Sequence, residues 1–70
     1  MAESVYKVIE LVGTSDESWE KAATAAVGRA SQTLRDLRIA EVSELDLQLG
    51  DDGSVVASRA KVKVSFKYED

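Results

Sequence analysis

Residues 55 to 68 read VVASRAKVKVSFKY. Val56, Ala60, Val62, Val64, Phe66 and Tyr68 alternate with Arg59, Lys61, Lys63 and Lys67, the two-residue period of a strand with one face in a core and a basic face opposite. Immediately upstream, Gly50-Asp51-Asp52-Gly53-Ser54 carries the residues of a tight hairpin turn. Before the turn, residues 39 to 49 read IAEVSELDLQL, with Leu45, Leu47 and Leu49 on one face and Glu44, Asp46 and Gln48 on the other. The two runs therefore predict an antiparallel hairpin, whose basic row of Arg59, Lys61, Lys63 and Lys67 could meet phosphate groups, although pairing across the hairpin with Glu44 and Asp46 is the simpler role.

Working towards the N-terminus, Trp19, Ala23, Ala26, Val27, Ala30, Leu34 and Leu37 recur at helical spacing, with Glu20, Lys21, Arg35 and Asp36 on the remaining faces. Thr14-Ser15-Asp16-Glu17 has the form of a capping box, so a helix is predicted to begin there and to end near Asp36. Its apolar face is thin: Ala22, Ala23, Ala25, Ala26, Gly28 and Ala30 supply little bulk and suit close packing on a sheet or a neighbouring subunit. Ahead of it, Ser4 to Val12 reads SVYKVIELV and stops at Gly13, the pattern of a strand closed by a turn. Val5, Ile9 and Leu11 share one face of that strand and Tyr6, Val8 and Val12 the other, so one face meets the helix and the second needs cover from outside the chain.

The predicted fold is α+β, a β-α-β-β subunit with a three-stranded antiparallel sheet packed on one helix, in a single domain spanning residues 1–70. Placing the third strand between the first and second makes every neighbour antiparallel and gives the crossover its usual right-handed sense. A chain of 70 residues buries only about 60% of the surface its unfolded form exposes, so it needs a staple. With no Cys and no His, disulfides and the common structural zinc sites are unavailable, which leaves oligomerisation.

The same two absences exclude Cys-His and Ser-His-Asp catalysis within one chain, and no Gly-rich phosphate loop is present, so a non-catalytic protein is expected. Thirteen acidic against nine basic residues give a formal charge of −4, which disfavours nucleic acid and anionic lipid as partners and makes a cation site more plausible. Asp16, Glu17 and Glu20 offer oxygen ligands of the kind hard cations prefer, although acids at a helix N-terminus also complement its dipole. Asp51-Asp52-Gly53 lacks the alternating acids and distal Glu of an EF-hand and reads as a plain turn. Trp19 could stack on a planar ligand, but its place at the start of the helix's apolar stripe makes packing the simpler role. Met1-Ala2-Glu3-Ser4 shows no basic stretch followed by an apolar run, and no segment reaches the ~20 apolar residues of a membrane span, so a soluble, cytoplasmic protein is expected.

Three strings then bear on family: Val5-Tyr6-Lys7-Val8-Ile9-Glu10-Leu11-Val12-Gly13-Thr14-Ser15, Thr33-Leu34-Arg35-Asp36-Leu37 and Val62-Lys63-Val64-Ser65-Phe66-Lys67. Together they resemble the dodecin family over nearly the whole chain. The resemblance implies a homo-dodecameric shell that binds or stores small ligands. Flavin-binding dodecins stack isoalloxazine rings against a Trp that follows the helix and hydrogen-bond them with a Gln on the last strand. The matching positions here are Ile39, with Ala40 in place of its aromatic neighbour, and Arg59, so the grip on flavin (FMN, FAD or riboflavin) is expected to be weakened. By family position the ligand pocket comprises Arg38, Ile39, Ala40, Asp46 and Arg59. Ser4-Val5-Tyr6-Lys7-Val8-Ile9, Ser18-Trp19-Glu20 and Val64-Ser65-Phe66-Lys67 are similar to a calcium-binding branch of the family, which favours calcium or a similar cation as cargo, with flavin or an empty structural shell as the alternatives.

Overall fold

The computed structural model describes residues 3–68. The ends of the expected domain, residues 1, 2, 69 and 70, lie outside the described residues. The chain runs β1 (Tyr6–Ser15), α1 (Trp19–Thr33), β2 (Leu37–Leu49) and β3 (Val55–Lys67), and the sheet order is β1-β3-β2 with both pairings antiparallel. The expected α+β architecture and the central position of β3 are what the chain adopts.

Alternation along β3 works as its sequence implies. Ala60, Val62 and Val64 are buried and, with Ala22 and Ala26 of α1, form the core; Ile9, Leu11, Ala23, Val27 and Leu37 pack round it half-buried. Val62 and Val64 are the largest side chains wholly out of water, so this core is made of small residues. The helix approaches closely because alanines face the sheet, and Gly13 of β1 makes the approach closer still. A Cβ built on Gly13 would lie 1.9 Å from the backbone oxygen of Ala22. Gly13 therefore sits inside β1 beneath α1, paired with Ala60, rather than closing the strand with a turn.

The helix begins and ends elsewhere than its local motifs suggest. Thr14 and Ser15 belong to β1, and the N-cap is Ser18, whose Oγ accepts a hydrogen bond from the Lys21 amide at 3.0 Å. The Ser15 hydroxyl oxygen instead accepts from the Glu17 and Ser18 amides, turning the chain between strand and helix. The capping box of Thr14 and Glu17 does not form because pairing of Thr14 with Arg59 and of Ser15 with Ser58 prolongs the strand. At the other end, Leu34 is already extended, and Asp36 adopts a left-handed conformation with φ 60°. Aspartate tolerates that region better than most residues, so the helix stops at Thr33 and Leu37 opens β2.

The buried stripe of α1 is Ala22, Ala26 and Ala30: Ala26 and Ala30 are on the expected face, with Ala23 and Val27 half-buried beside them, whereas Ala22 joins the core and Trp19 is left 41% exposed. Irregularities in β2 at Leu37/Ile39, Val42/Glu44 and Gln48/Leu49 reset its alternation. The middle one lets Val42 stand opposite Val62 and Leu45 opposite Ala60, both on the helix side, despite their odd spacing.

The helix, about 22 Å long, lies over β1 and β3 and barely reaches β2. The strands of the hairpin run to about 43 Å, and the whole chain measures 55 × 20 × 16 Å. Its radius of gyration is 14.5 Å, where a compact domain of this length has about 11 Å.

Candidate functional site

Apolar residues on the sheet face away from the helix frame one end of the candidate site. Ile39 stands opposite Ser65 of β3, and Val8 of β1 stands opposite the same Ser65 from the other side. Glu41 and Glu10 flank Lys63 in the same way. These residues, with Ile9, line an open depression of about 610 Å³, within the size range of small-molecule sites. Ile39 is 65% exposed and Val8 57%.

Arg38 is exposed and lies 3.8 Å from the Asp36 carboxylate. Ala40 faces the opposite way, towards α1. It lines a second groove, of about 390 Å³, with Ala23, Thr24, Val27, Gly28, Val42 and Val62.

Asp46 and Arg59 lie towards the hairpin turn and clasp each other. Arg59 Nε donates to Asp46 Oδ1 at 2.7 Å and its NH2 group donates to Oδ2 at 2.9 Å, a two-pronged pair. The hydrogen bond from Arg59 holds the Asp46 carboxyl below its ordinary range, helped by the charges of Arg59 and Lys61. Asp46 in turn raises the Arg59 pKa. The Asp46 backbone is anchored as well: its carbonyl accepts a 3.0 Å hydrogen bond from Trp19 Nε1. One register step away Lys61 binds Glu44 at 2.9 Å, and this hydrogen bond raises the lysine pKa. The expected cross-hairpin pairing of the basic row with Glu44 and Asp46 is thus present for Arg59 and Lys61.

Of the residues assigned to the pocket by family position, one chain brings together Asp46 with Arg59, and Arg38 with Ile39. The two sets are six residues apart along β3, from Ser65 to Arg59, or about 20 Å. No ligand of ordinary size touches both within the chain.

Asp16, Glu17 and Glu20 occupy the turn before α1 and its first helical turn. Glu17 is engaged at 2.7 Å by Lys21. Among the described residues no three acidic side chains converge to hold a metal ion, and calcium takes six to eight oxygens. The three acids have suitable donor chemistry for a hard cation but do not make a complete shell within the chain. Asp52, by contrast, is used by the hairpin turn: its Oδ1 accepts from the Ser54 amide and hydroxyl at 3.0 and 2.6 Å, lowering its pKa, and Gly53 turns with φ 83°.

Sequence reading passed over Val8, Glu10, Glu41, Lys63 and Ser65 as one lining. The signal was present in the apolar residues on both faces of β1, but which β2 residues lie beside them depends on the register across β3. Among the described residues no helix is long and apolar enough to cross a membrane.

The features together define a small α+β fold whose sheet keeps its outer face open, with the two candidate groups of residues about 20 Å apart along β3. The chain belongs to the dodecin family: the Dodecin family model matches residues 5–69. It is 48% identical over 64 residues to Calcium dodecin of Mycobacterium tuberculosis, covering 91% of this chain and 89% of that protein. The crystal structure of that calcium-chelating antigen, described as having a novel calcium-binding site, superposes with a TM-score of 0.83 at 47% identity, covering 94% of this chain and 93% of the other. Dodecin from Streptomyces coelicolor gives a TM-score of 0.89 at 40% identity, covering 100% of this chain and 99% of that one.

Proposed function

We propose that this chain assembles into a homo-dodecameric shell that binds and stores a small ligand or ion in the cytoplasm, without catalysing a reaction, and that calcium or a similar cation is the favoured cargo. The observation that carries the assembly is the surface of the isolated chain. It exposes 5359 Å², where a monomer of 7.6 kDa has about 4,300 Å². The excess of roughly 1,000 Å² is close to the ~800 Å² that each partner contributes to a standard interface. Much of it is apolar, including Val8, Val12, Ile39, Leu45, Leu47 and Leu49. Such surface is stable in water when other copies cover it.

Assembly also accounts for the divided pocket. Arg38, Ile39 and Ala40 of one subunit would meet Asp46 and Arg59 of others, since about 20 Å separates the two sets within a chain. For the cargo, the acidic balance of −4 and the likeness to Calcium dodecin support a cation, with Asp16, Glu17 and Glu20 contributing part of a shell shared between subunits. Flavin is the second reading, favoured by the 610 Å³ depression beside Ile39. It is weakened because Ile39 offers no flat ring and Arg59 is already committed to Asp46. An empty structural shell is the third.

Native mass spectrometry of the gently purified protein, with and without added calcium, chelator or riboflavin, tests all three. The expected spectrum is a twelve-subunit particle that gains calcium in steps reversed by chelator. A stable monomer overturns the assembly. Retained flavin mass with no calcium uptake overturns the cation reading, and a dodecamer that takes up neither leaves the empty shell.

A further inference from the structure

The helix side of β2 carries two apolar features that a single chain cannot bring together. One is concave: the groove between α1 and β2, with Thr24, Val27 and Gly28 on the helix wall and Ala40 and Val42 on the strand wall, almost without polar atoms. The other is an exposed row towards the hairpin end of the same strand, where Leu45 and Leu47, opposite Ala60 and Ser58, stand 51% and 44% exposed. Trp19 crosses between them, its indole N–H fastened to the Asp46 carbonyl. The row also lies on the rigid strand that forms one wall of the groove, so it cannot fold back to fill it.

We infer that the leucine row of one copy docks in the α1–β2 groove of another, and that this contact is a principal interface of the assembly. The inference rests on the self-assembly reading and names the surfaces that meet. Three observations support a second copy as occupant. The missing burial of roughly 1,000 Å² per chain is what one standard partner supplies. The groove is lined mainly by alanine, glycine, threonine and valine, so it is short of bulk, whereas the row offers bulk without cover. The charges beside the leucines also need nothing from a partner: Glu44 is paired with Lys61 and Asp46 with Arg59 on the opposite face. The arm therefore brings no unpaired charge on its leucine side into an apolar groove.

Gly28 makes the groove testable without disturbing the subunit, because a Cβ built there meets nothing within 4 Å. Gly28→Phe fills the groove from the helix side. It should keep the helical circular dichroism signal while shifting native mass spectra from the assembly towards smaller species; Leu47→Asp should do the same from the arm.

The chain has no cysteine, so single introduced thiols report contacts cleanly. A mixture of Thr24→Cys and Leu47→Cys proteins, dissociated and reassembled, is expected to give a heterodimeric cross-link with a short bis-maleimide, and neither variant alone should cross-link. Cross-linking of Leu47→Cys alone with none in the mixture overturns the inference in favour of an arm-to-arm contact. An assembly of wild-type size and dilution stability in Gly28→Phe also overturns it while leaving self-assembly intact. A wild-type protein that is monomeric at all concentrations removes the underlying reading itself.

Discussion

Replacing Gly13 with alanine should be among the most damaging single-methyl additions available in this chain. The new Cβ would lie 1.9 Å from the Ala22 carbonyl oxygen, 2.9 Å from its carbon and 3.2 Å from the Ala26 Cβ. Relief to an ordinary separation near 3 Å requires α1 to move outward by about 1 Å. A gap of that size forfeits a quarter to a half of each van der Waals contact it opens, and the contacts concerned are those of Ala22 and Ala26 with Ala60 and Val62. Overpacking typically costs 1–3 kcal/mol. Because the obstacle is backbone rather than a side chain that can swing aside, about 3 kcal/mol is expected. At 4–8 °C per kcal/mol for domains of this size, the melting temperature should fall by roughly 12–24 °C. The penalty is purely steric, since Gly13 is not among the residues with positive φ.

Urea denaturation followed by Trp19 fluorescence and far-UV circular dichroism measures the loss. Protein concentration must be held constant, because the proposed assembly would contribute to apparent stability. A Gly13→Ala loss below about 1 kcal/mol would refute the close approach of α1 to β1 as the reason for glycine at this position.

Val62→Ala should cost about 2 kcal/mol in the same denaturation assay, because the cavity opens at a fully buried site whose neighbours are already small; a loss within error of zero would show that the core collapses to fill it. The double variant Ile39→Trp/Arg59→Gln restores a stacking face and an uncharged hydrogen-bonding group, so riboflavin titration should show quenching at least ten times tighter than in the parent protein; unchanged emission would count against those two positions as the ligand grip. The Asp46 pKa is lowered by Arg59, so its stabilisation is complete above the ordinary aspartate value of about 3.9 and fades as pH falls below it. Urea midpoints measured from pH 6 to pH 3 should therefore decline less steeply in Asp46→Asn, and high salt should narrow the difference because the pair is half exposed. Parallel acid limbs would contradict this.

How much was legible in the sequence differs between fold and site. The alternation of Ala60, Val62 and Val64 with Lys61 and Lys63 determined that β3 is a strand with a buried face, because side chains two apart in a strand must share a side whatever surrounds them. The residues of the hairpin turn determined the antiparallel pairing of β2 with β3 in the same local way. The cross-hairpin pairs of Glu44 and Asp46 followed from that register.

Tertiary structure decided what local rules leave degenerate. A thin alanine face allows the helix several rotations about its axis, and contact with Gly13, Ala60 and Val62 selected Ala22, Ala26 and Ala30 while leaving Trp19 to bind the Asp46 carbonyl. Strand pairing outcompeted the capping motif of Thr14 and Glu17, because continuing β1 to Ser15 satisfies backbone hydrogen bonds that an earlier helix start would leave open. The irregularity beside Ser43 in β2 put Val42 and Leu45 on one side against their spacing. For the candidate pocket, residue types could be read along the chain, but the distance of about 20 Å between Ile39 and Arg59 exists only once the strands are laid in register.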